Sequence, residues 1–332
     1  MKLCVLYEAT DSPWGGSNQF LRALIKELTQ LGHQVMQNPN QTTEIVLINA
    51  HNLGPGIYLW PSLVAQLKHT SQMTKWGHVL PVSLWSLLPR RGPILIHRLD
   101  GLPELYRGFR TKADRIQLTI NSLTDYTVFQ SRYCKESFAQ YGIHPHYSCV
   151  IYNGVDPDIF YPCQNPKLSP NSVLKLVAIS WSPNPRKGFS LLAQISQLPE
   201  VEVRFIGQWP SSIPSANVQL MGTQSSFHVA EMIRTSDAMI HPASNEPCSN
   251  AILEALACGL PILFRDSGGN RELAGEYGTP ISNDLRSDIA QLRSRYKEFR
   301  SKILENRHRF LISQAVKGYL EAFQQALDLC KK

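Results

Sequence analysis

Short apolar runs recur along this chain, each followed by a stretch in which apolar positions return every three or four residues. Residues 2–8 form the first run. Residues 17–31 form the first periodic stretch, with Phe20, Leu24, Ile25 and Leu28 on one face and Gly32 at its end. A continuous apolar run reads as a buried strand, and the 3.6-residue period as an amphipathic helix. A turn at 11–16 joins them, and 33–35 opens a second short strand. Strand, glycine-bearing turn, helix, strand is the first unit of a doubly wound parallel sheet. The same reading places strands at 44–49, 93–97 and 125–130, and a helix at 131–141 closed by Gly142. Residues 53–88, rich in Gly, Pro and Trp, have no legible order. A second series follows, with strands at 174–180, 201–207, 218–222, 238–241 and 262–264. Its helices fall at about 189–198, at 227–235 and in the 250s, and 285–332 reads as helices. No long repeat or low-complexity tract interrupts either series.

A length of 332 residues agrees with about two domains. The seven cysteines (Cys4, Cys134, Cys149, Cys163, Cys248, Cys258, Cys330) are odd in number and scattered, without a C-x-x-C pair. They predict free thiols in a reducing compartment, neither a disulfide framework nor a zinc site. The apolar run at 3–7 is too short for a signal-peptide core, and no run approaches the ~18 residues of a membrane span. The expectation is a cytoplasmic protein. Net charge is +7, of which residues 1–155 hold +5, with 14 Lys/Arg against 9 Asp/Glu. Arg90, Arg91, Arg98, Arg107, Arg110, Lys112 and Arg115 cluster in sequence. They read as a solvated basic face or as a surface for peripheral contact with anionic membrane or an acidic acceptor. No nucleic-acid motif accompanies the charge, so no nucleic-acid partner is expected.

The chemistry concentrates in residues 246–261, EPCSNAILEALACGLP. A helix starts at Ser249 or Asn250, whose short polar side chains cap free N–H groups. Gly259 and Pro261 stop it, and Ile252, Leu253, Leu256 and Ala257 form its apolar face. Its unpaired amides open onto the loop just after strand 238–241, a place suited to phosphate. Glu246 and Glu254 border that place. Eight positions apart with Pro247 between, they converge only if the strand-to-helix turn folds them together; by spacing alone they also read as an ordinary loop acid and first-turn acid. Gly15-Gly16 allows close backbone approach, or simply a tight turn. It is not G-x-G-x-x-G, so a dehydrogenase loses its main support. Asp156-Pro157-Asp158 mimics a D-x-D metal string, but it follows the turn residues Asn153-Gly154 and Pro157 itself suits a turn.

E-x7-E followed by EALACGLP resembles the donor-site signature of glycosyltransferase family 4. The segment 150–162, VIYNGVDPDIFYP, resembles that family's interdomain joint. Arg186-Lys187-Gly188 resembles its diphosphate loop, with Lys187 at the matching position. Three departures stand out: Cys248 and Ser249 replace glycines, and Trp181 and Ser182 stand where a second Arg is often found. The resemblance implies the α/β GT-B fold, two doubly wound Rossmann-like domains facing across a cleft. Residues 1–155 would form the acceptor side, 156–310 the nucleotide-sugar side, and 311–332 a helix crossing back. It implies Gly15 and Gly16 facing the donor phosphates and Gly222 and Thr223 beside the base. Lys187, with Arg186 and the helix start at Ser249, Asn250 and Ala251, would hold the diphosphate, with Cys248 beside the sugar. Glu254 would accept hydrogen bonds from ribose hydroxyls as an ionised carboxylate, and Glu246 would hold hydroxyls of the transferred sugar. Opposite them, either His97 or Asp100 of the 97–101 segment would touch the sugar and reacting diphosphate. The implied reaction is a retaining, metal-independent transfer of a hexose from a nucleotide diphosphate to an acceptor hydroxyl on a glycan, lipid-linked or other molecule. No cofactor beyond the nucleotide sugar is implied. The alternatives are a non-catalytic nucleotide-sugar or glycan-binding relative and a GT-B-fold nucleotide-sugar epimerase.

Overall fold

The apolar runs become the strands of two parallel sheets. The computed structural model describes residues 1–10, 16–54, 56–70, 73, 81–85, 87–89, 91–163 and 172–329. Gly15 and most of the expected turn at 11–16, together with Arg90 and Cys330, lie outside the described residues. The strands are β1 (Lys2–Leu6), β2 (Gln34–Met36), β3 (Ile45–Asn49), β4 (Asn52–Gly54), β5 (Ile57–Tyr58), β6 (Ile94–Leu99), β7 (Tyr126–Phe129), β8 (Ser148–Val150), β9 (Leu174–Ser180), β10 (Val201–Gly207), β11 (Gln219–Leu220), β12 (Ala238–His241), β13 (Ile262–Phe264) and β14 (Gly278–Pro280). The helices are α1 (Gly16–Gln30), α2 (Pro61–His69), α3 (Val82–Trp85), α4 (Pro103–Arg107), α5 (Lys112–Leu123), α6 (Arg132–Gln140), α7 (Phe189–Ile195), α8 (Ser226–Arg234), α9 (Asn250–Ala257), α10 (Asn270–Ala274), α11 (Leu285–Ser294), α12 (Tyr296–Glu305) and α13 (Ile312–Leu329). One sheet has the order β2-β1-β3-β6-β7-β8 and the other β11-β10-β9-β12-β13-β14, while β4 and β5 form a separate hairpin. This is the GT-B architecture.

Each sheet is covered on both faces, which is why its strands read as unbroken apolar runs. Leu3 and Val5 of β1 pack with α1 and α13 on one face. Cys4 and Leu6 point the other way, toward Leu63 and Leu67 of α2. In the second sheet, Val177 and Met239 pack under α9, and Leu176 and Ala178 meet Phe189 of α7. The neighbours of β9, β10 and β12, lead off in opposite directions across the sheet. At such a reversal the C-terminal strand ends open a crevice, here beyond Ser180 and His241.

The chain crosses between the sheets twice, side by side. Val155 N donates to Phe310 O at 3.0 Å, and Ile312 N donates to Val155 O at 2.9 Å. Beyond the second crossing, α13 buries Ile312, Ala315, Val316, Tyr319, Ala322, Phe323 and Ala326, at helical spacing, in the core of the first sheet. Asp156 and Asp158 both pair with Lys26 of α1, at 2.8 and 2.6 Å. The D-x-D string therefore ties the joint to α1.

Several regions differ from the sequence reading. Strand β6 runs two residues past the expected end at 97, because Arg98, counted above in the basic cluster, is fully buried. Its guanidinium is held by Asn49 and Asn153 and lies 4.6 Å from the Phe20 ring. Arg98 thus leaves the supposed basic surface. The illegible 53–88 region holds the β4–β5 hairpin, α2 and α3, and α2 opens on Pro61, a residue suited to a first helical turn. The short β14 has a Gly and a Pro among its three residues and takes the sheet edge, where a missing donor is tolerated.

Candidate active site

A cavity of about 280 Å³ lies between the C-terminal edges of the two sheets. One wall is the loop from β12 into α9. Ser249 caps α9, its hydroxyl accepting from Ile252 N at 3.4 Å, and Ser249, Asn250 and Ala251 line the cavity. Cys248 lines it too and is buried among apolar groups, which push its thiol up to about 12. The turn brings Glu246 and Glu254 to the same space despite their separation in sequence.

Lys187 ends a tight helical turn, Pro185–Lys187, opened by Asn184, whose side chain accepts from Arg186 N. Its ammonium reaches Glu246 at 2.6 Å, with the two side chains 20 % and 13 % exposed. Burial alone would raise the Glu246 carboxyl, but the Lys187 ammonium and the nearby His241 outweigh it and hold it below its ordinary range. Glu246 is therefore a carboxylate, and Lys187 keeps two of its three donors for another partner. Glu254 has the opposite environment. It is 9 % exposed, no side chain among the described residues pairs with its carboxyl, and burial pushes it up to about 8. The expected ionised acceptor is thus mostly protonated at neutral pH in the free protein. Hydroxyl donors would favour its ionised form.

Four expected site residues fall elsewhere. His97 lies inside β6 with no exposure. Its Nε2 meets Ala50 O at 2.8 Å and its Nδ1 meets the Asn121 amide at 3.2 Å. The extension of β6 turns it into the core, and Asp100, just beyond the strand, lines the cavity instead. Asp100 accepts from Ser17 Oγ at 3.0 Å and Gln130 Nε2 at 2.5 Å. Gly222 and Thr223 are exposed after the edge strand β11, outside the residues that line the cavity. Arg186 also leaves it, its guanidinium donating to Leu105 O in the first domain. Gly16 does line it, and its carbonyl accepts from Asn250 Nδ2 at 2.5 Å. A Cβ on Gly16 would lie 2.7 Å from that nitrogen, so a larger residue would displace the Asn250 amide. Asn250 in turn accepts from Asn153 at 2.8 Å. Through Asn153 the first residue of α9 is linked to the buried Arg98.

Sequence reasoning missed several lining residues, among them His241, Tyr106, Arg107 and Gln130. His241 closes an apolar strand and gave no separate signal. Tyr106 and Arg107 sit on α4, whose Pro at the first position and Gly108 at the cap (φ +92°) were available signs of a short helix. The same holds for α5, which opens on a Thr111–Asp114 capping box.

Burial lowers both His97 and His241 to about 4. A base depressed in the folded state stabilises fully above its unfolded value, near 6.5, and loses that contribution as pH falls toward 4. Each histidine is worth roughly 3 kcal/mol over that window. The melting temperature should therefore fall steeply between pH 6.5 and 4, and His97→Gln should flatten the slope. An unchanged slope in that variant would contradict the assignment.

Comparison with known proteins agrees with this geometry. Residues 185–322 match the family model for glycosyl transferases group 1, so the second half of the chain carries a domain of that kind. A GDP-mannose-dependent alpha-mannosyltransferase of Mycobacterium tuberculosis (strain CDC 1551 / Oshkosh) is 24 % identical over 212 residues, 58 % of this chain and 52 % of that one. The chain thus spans about half the length of this curated relative. Among solved structures, sucrose-phosphate synthase from Thermosynechococcus elongatus superposes with TM-score 0.67 at 16 % identity, covering 99 % of this chain and 100 % of that one. Anabaena HepE in complex with UDP-glucose gives 0.66 at 18 % identity, covering 98 % and 100 %. These likenesses establish the shared fold. Among the described residues, no helix is long and apolar enough to cross a membrane.

Proposed function

We propose that this protein is a nucleotide-sugar-dependent glycosyltransferase that moves a hexose from a nucleotide diphosphate to an acceptor hydroxyl with retention of configuration and without a metal. One observation carries the reading: Lys187, Glu246 and the first turn of α9 converge on one interdomain cavity. Breaking the bond between the sugar and the diphosphate leaves negative charge on the phosphate while the sugar becomes oxocarbenium-like. Donors fixed in advance of the reaction stabilise that charge without reorganising. Lys187 and the amides of Ser249, Asn250 and Ala251 take that role. Glu246, ionised and anchored by Lys187, holds hydroxyls of the transferred sugar, and Glu254 takes the ribose hydroxyls. Asp100 is the group on the opposite wall. The departing phosphate takes the acceptor proton on the face it leaves, so neither glutamate forms a glycosyl-enzyme bond of the glycosidase kind.

The domain division follows the two sheets: residues 1–155 bear the acceptor, 156–310 the donor, and 311–332 brace the first against the second. Phe109 is 63 % exposed beside the exposed Arg110, Lys112 and Arg115, and this surface suits peripheral contact with anionic lipid near a glycan or lipid-linked acceptor. Co-sedimentation with phosphatidylglycerol vesicles that drops severalfold in Arg110→Glu/Lys112→Glu is the expected outcome. Equal sedimentation with neutral vesicles would rule the contact out.

The donor reading is tested by thermal unfolding with GDP-mannose, UDP-glucose and ADP-glucose. A ligand that binds only the folded form raises its melting temperature. At least one donor should stabilise the protein and slowly release its nucleoside diphosphate. No stabilisation and no release with any of them would defeat the proposal.

A further inference from the structure

We propose that Arg107, reaching over the cleft from the first domain, is the second cation on the donor diphosphate, and that Arg186 is the residue that positions it. The inference rests on the transferase reading above and deepens it.

The charge around the cavity frames the problem. Two carboxylates, Asp100 and Glu246, and the mostly protonated Glu254 line it, against two cationic side chains, Lys187 and Arg107. Lys187 already spends one donor on Glu246. A diphosphate adds further negative charge, and Lys187 alone leaves that charge under-compensated. Arg186 adjoins Lys187 in sequence, but its guanidinium is turned out of the cavity and donates to Leu105 O. Trp181 and Ser182, on the same wall, carry no charge. Arg107 is the remaining cation. It is exposed, rests beside the Tyr106 ring with Cζ 5.6 Å from the centroid, and no carboxylate among the described residues pairs with it. A guanidinium offers paired donors that match two phosphate oxygens at once.

The position of Arg107 is set from the second domain. Helix α4 ends at Arg107, and the last carbonyls of a helix have no partner inside it. Three side chains of the second domain take them. Arg186 and Asn245 donate to Leu105 O, the latter at 3.2 Å, and Asn184 Nδ2 donates to Tyr106 O at 3.0 Å. Next comes Gly108, where a Cβ would lie 2.9 Å from Arg186 Nε. The absent side chain thus admits the guanidinium to the helix end. The diphosphate loop and the helix carrying Arg107 are therefore interlocked, so the loop that presents Lys187 also sets the place of the opposing arginine.

The test is calorimetric titration of UDP, GDP and ADP, and of their monophosphates, into the full chain at one fixed salt concentration. Arg107→Ala should lower the preference for diphosphate over monophosphate about tenfold or more, the loss of a hydrogen bond between charged groups. Arg107→Lys should recover part of it. Arg186→Ala should lower the same ratio, and the double variant should lose no more than Arg107→Ala, because both changes act through one contact. An Arg107→Ala protein that keeps the wild-type ratio overturns the proposal and leaves the transferase reading standing. Losses that multiply in the double variant overturn the positioning role and put Arg186 itself on the ligand. A wild-type protein that binds none of the diphosphates overturns both readings.

Discussion

Replacing Lys187 by alanine is expected to lower donor turnover by about 10²–10³, the usual consequence of removing one preorganised donor from developing negative charge. The geometry argues for the upper part of that range. Lys187 is held by Glu246 at 2.6 Å and is mostly shielded from water, so its charge acts in a medium that screens it less than water does. The substitution also strands Glu246, whose carboxylate is held in its ionised form chiefly by Lys187. A glutamate freed from that pair would take up a proton more readily and lose its hold on sugar hydroxyls. Glu254→Gln, which removes a single contact to the nucleotide, should reduce turnover no more than Lys187→Ala does. The rate of nucleoside diphosphate release in the two variants decides the ranking. Undiminished release by Lys187→Ala would exclude the assigned role.

Glu254→Gln should instead raise the stability of the unliganded protein above neutral pH. The Glu254 carboxyl moves from its ordinary 4.5 to about 8 through burial alone. An acid raised in this way binds its proton more tightly when folded. Its contribution is complete below pH 4.5 and is lost as pH climbs through 8, amounting to roughly 5 kcal/mol. Glutamine carries no such dependence. The melting temperature of Glu254→Gln relative to the natural chain should therefore rise by several degrees between pH 5 and 9. Nucleotide binding should run the other way. Ribose hydroxyls donate to the ionised carboxylate, so the natural chain should bind UDP or GDP more tightly from pH 6 to 8, while Glu254→Gln binds weakly with no such trend. Parallel melting curves for the two proteins across pH would contradict the buried, unpaired state of Glu254. Stability is thus lower at this position than a neutral side chain would give, as expected of a group kept for a ligand.

Much of this arrangement was legible in the residues. Strands with both faces buried announce themselves as unbroken apolar runs, so β9, β10, β12 and β13 were placed to the residue. The turn from β12 into α9 was also legible, because its cap and stop residues are local chemistry. What failed was governed by partners distant in sequence. Arg98 reads as a surface cation; Asn49, Asn153, the Asp100 carboxylate and the Phe20 ring, brought together by the sheets and the joint, make its burial tolerable. Because it stays in the strand, His97 points into the core and Asp100 reaches the cleft. Arg186 likewise reads as a phosphate ligand beside Lys187, and its contact with Leu105 exists only once the two domains face each other. The raised Glu254 carboxyl depends on how completely α9 is covered, which helical spacing does not report.

The most direct test of the central claim is a crystal structure of the protein with GDP or UDP bound. The account predicts the diphosphate within hydrogen-bond distance, about 3 Å, of Lys187 Nζ and the first-turn amides of α9, with the ribose hydroxyls on Glu254. A nucleotide bound outside the cleft, or a diphosphate away from both Lys187 and α9, would contradict it.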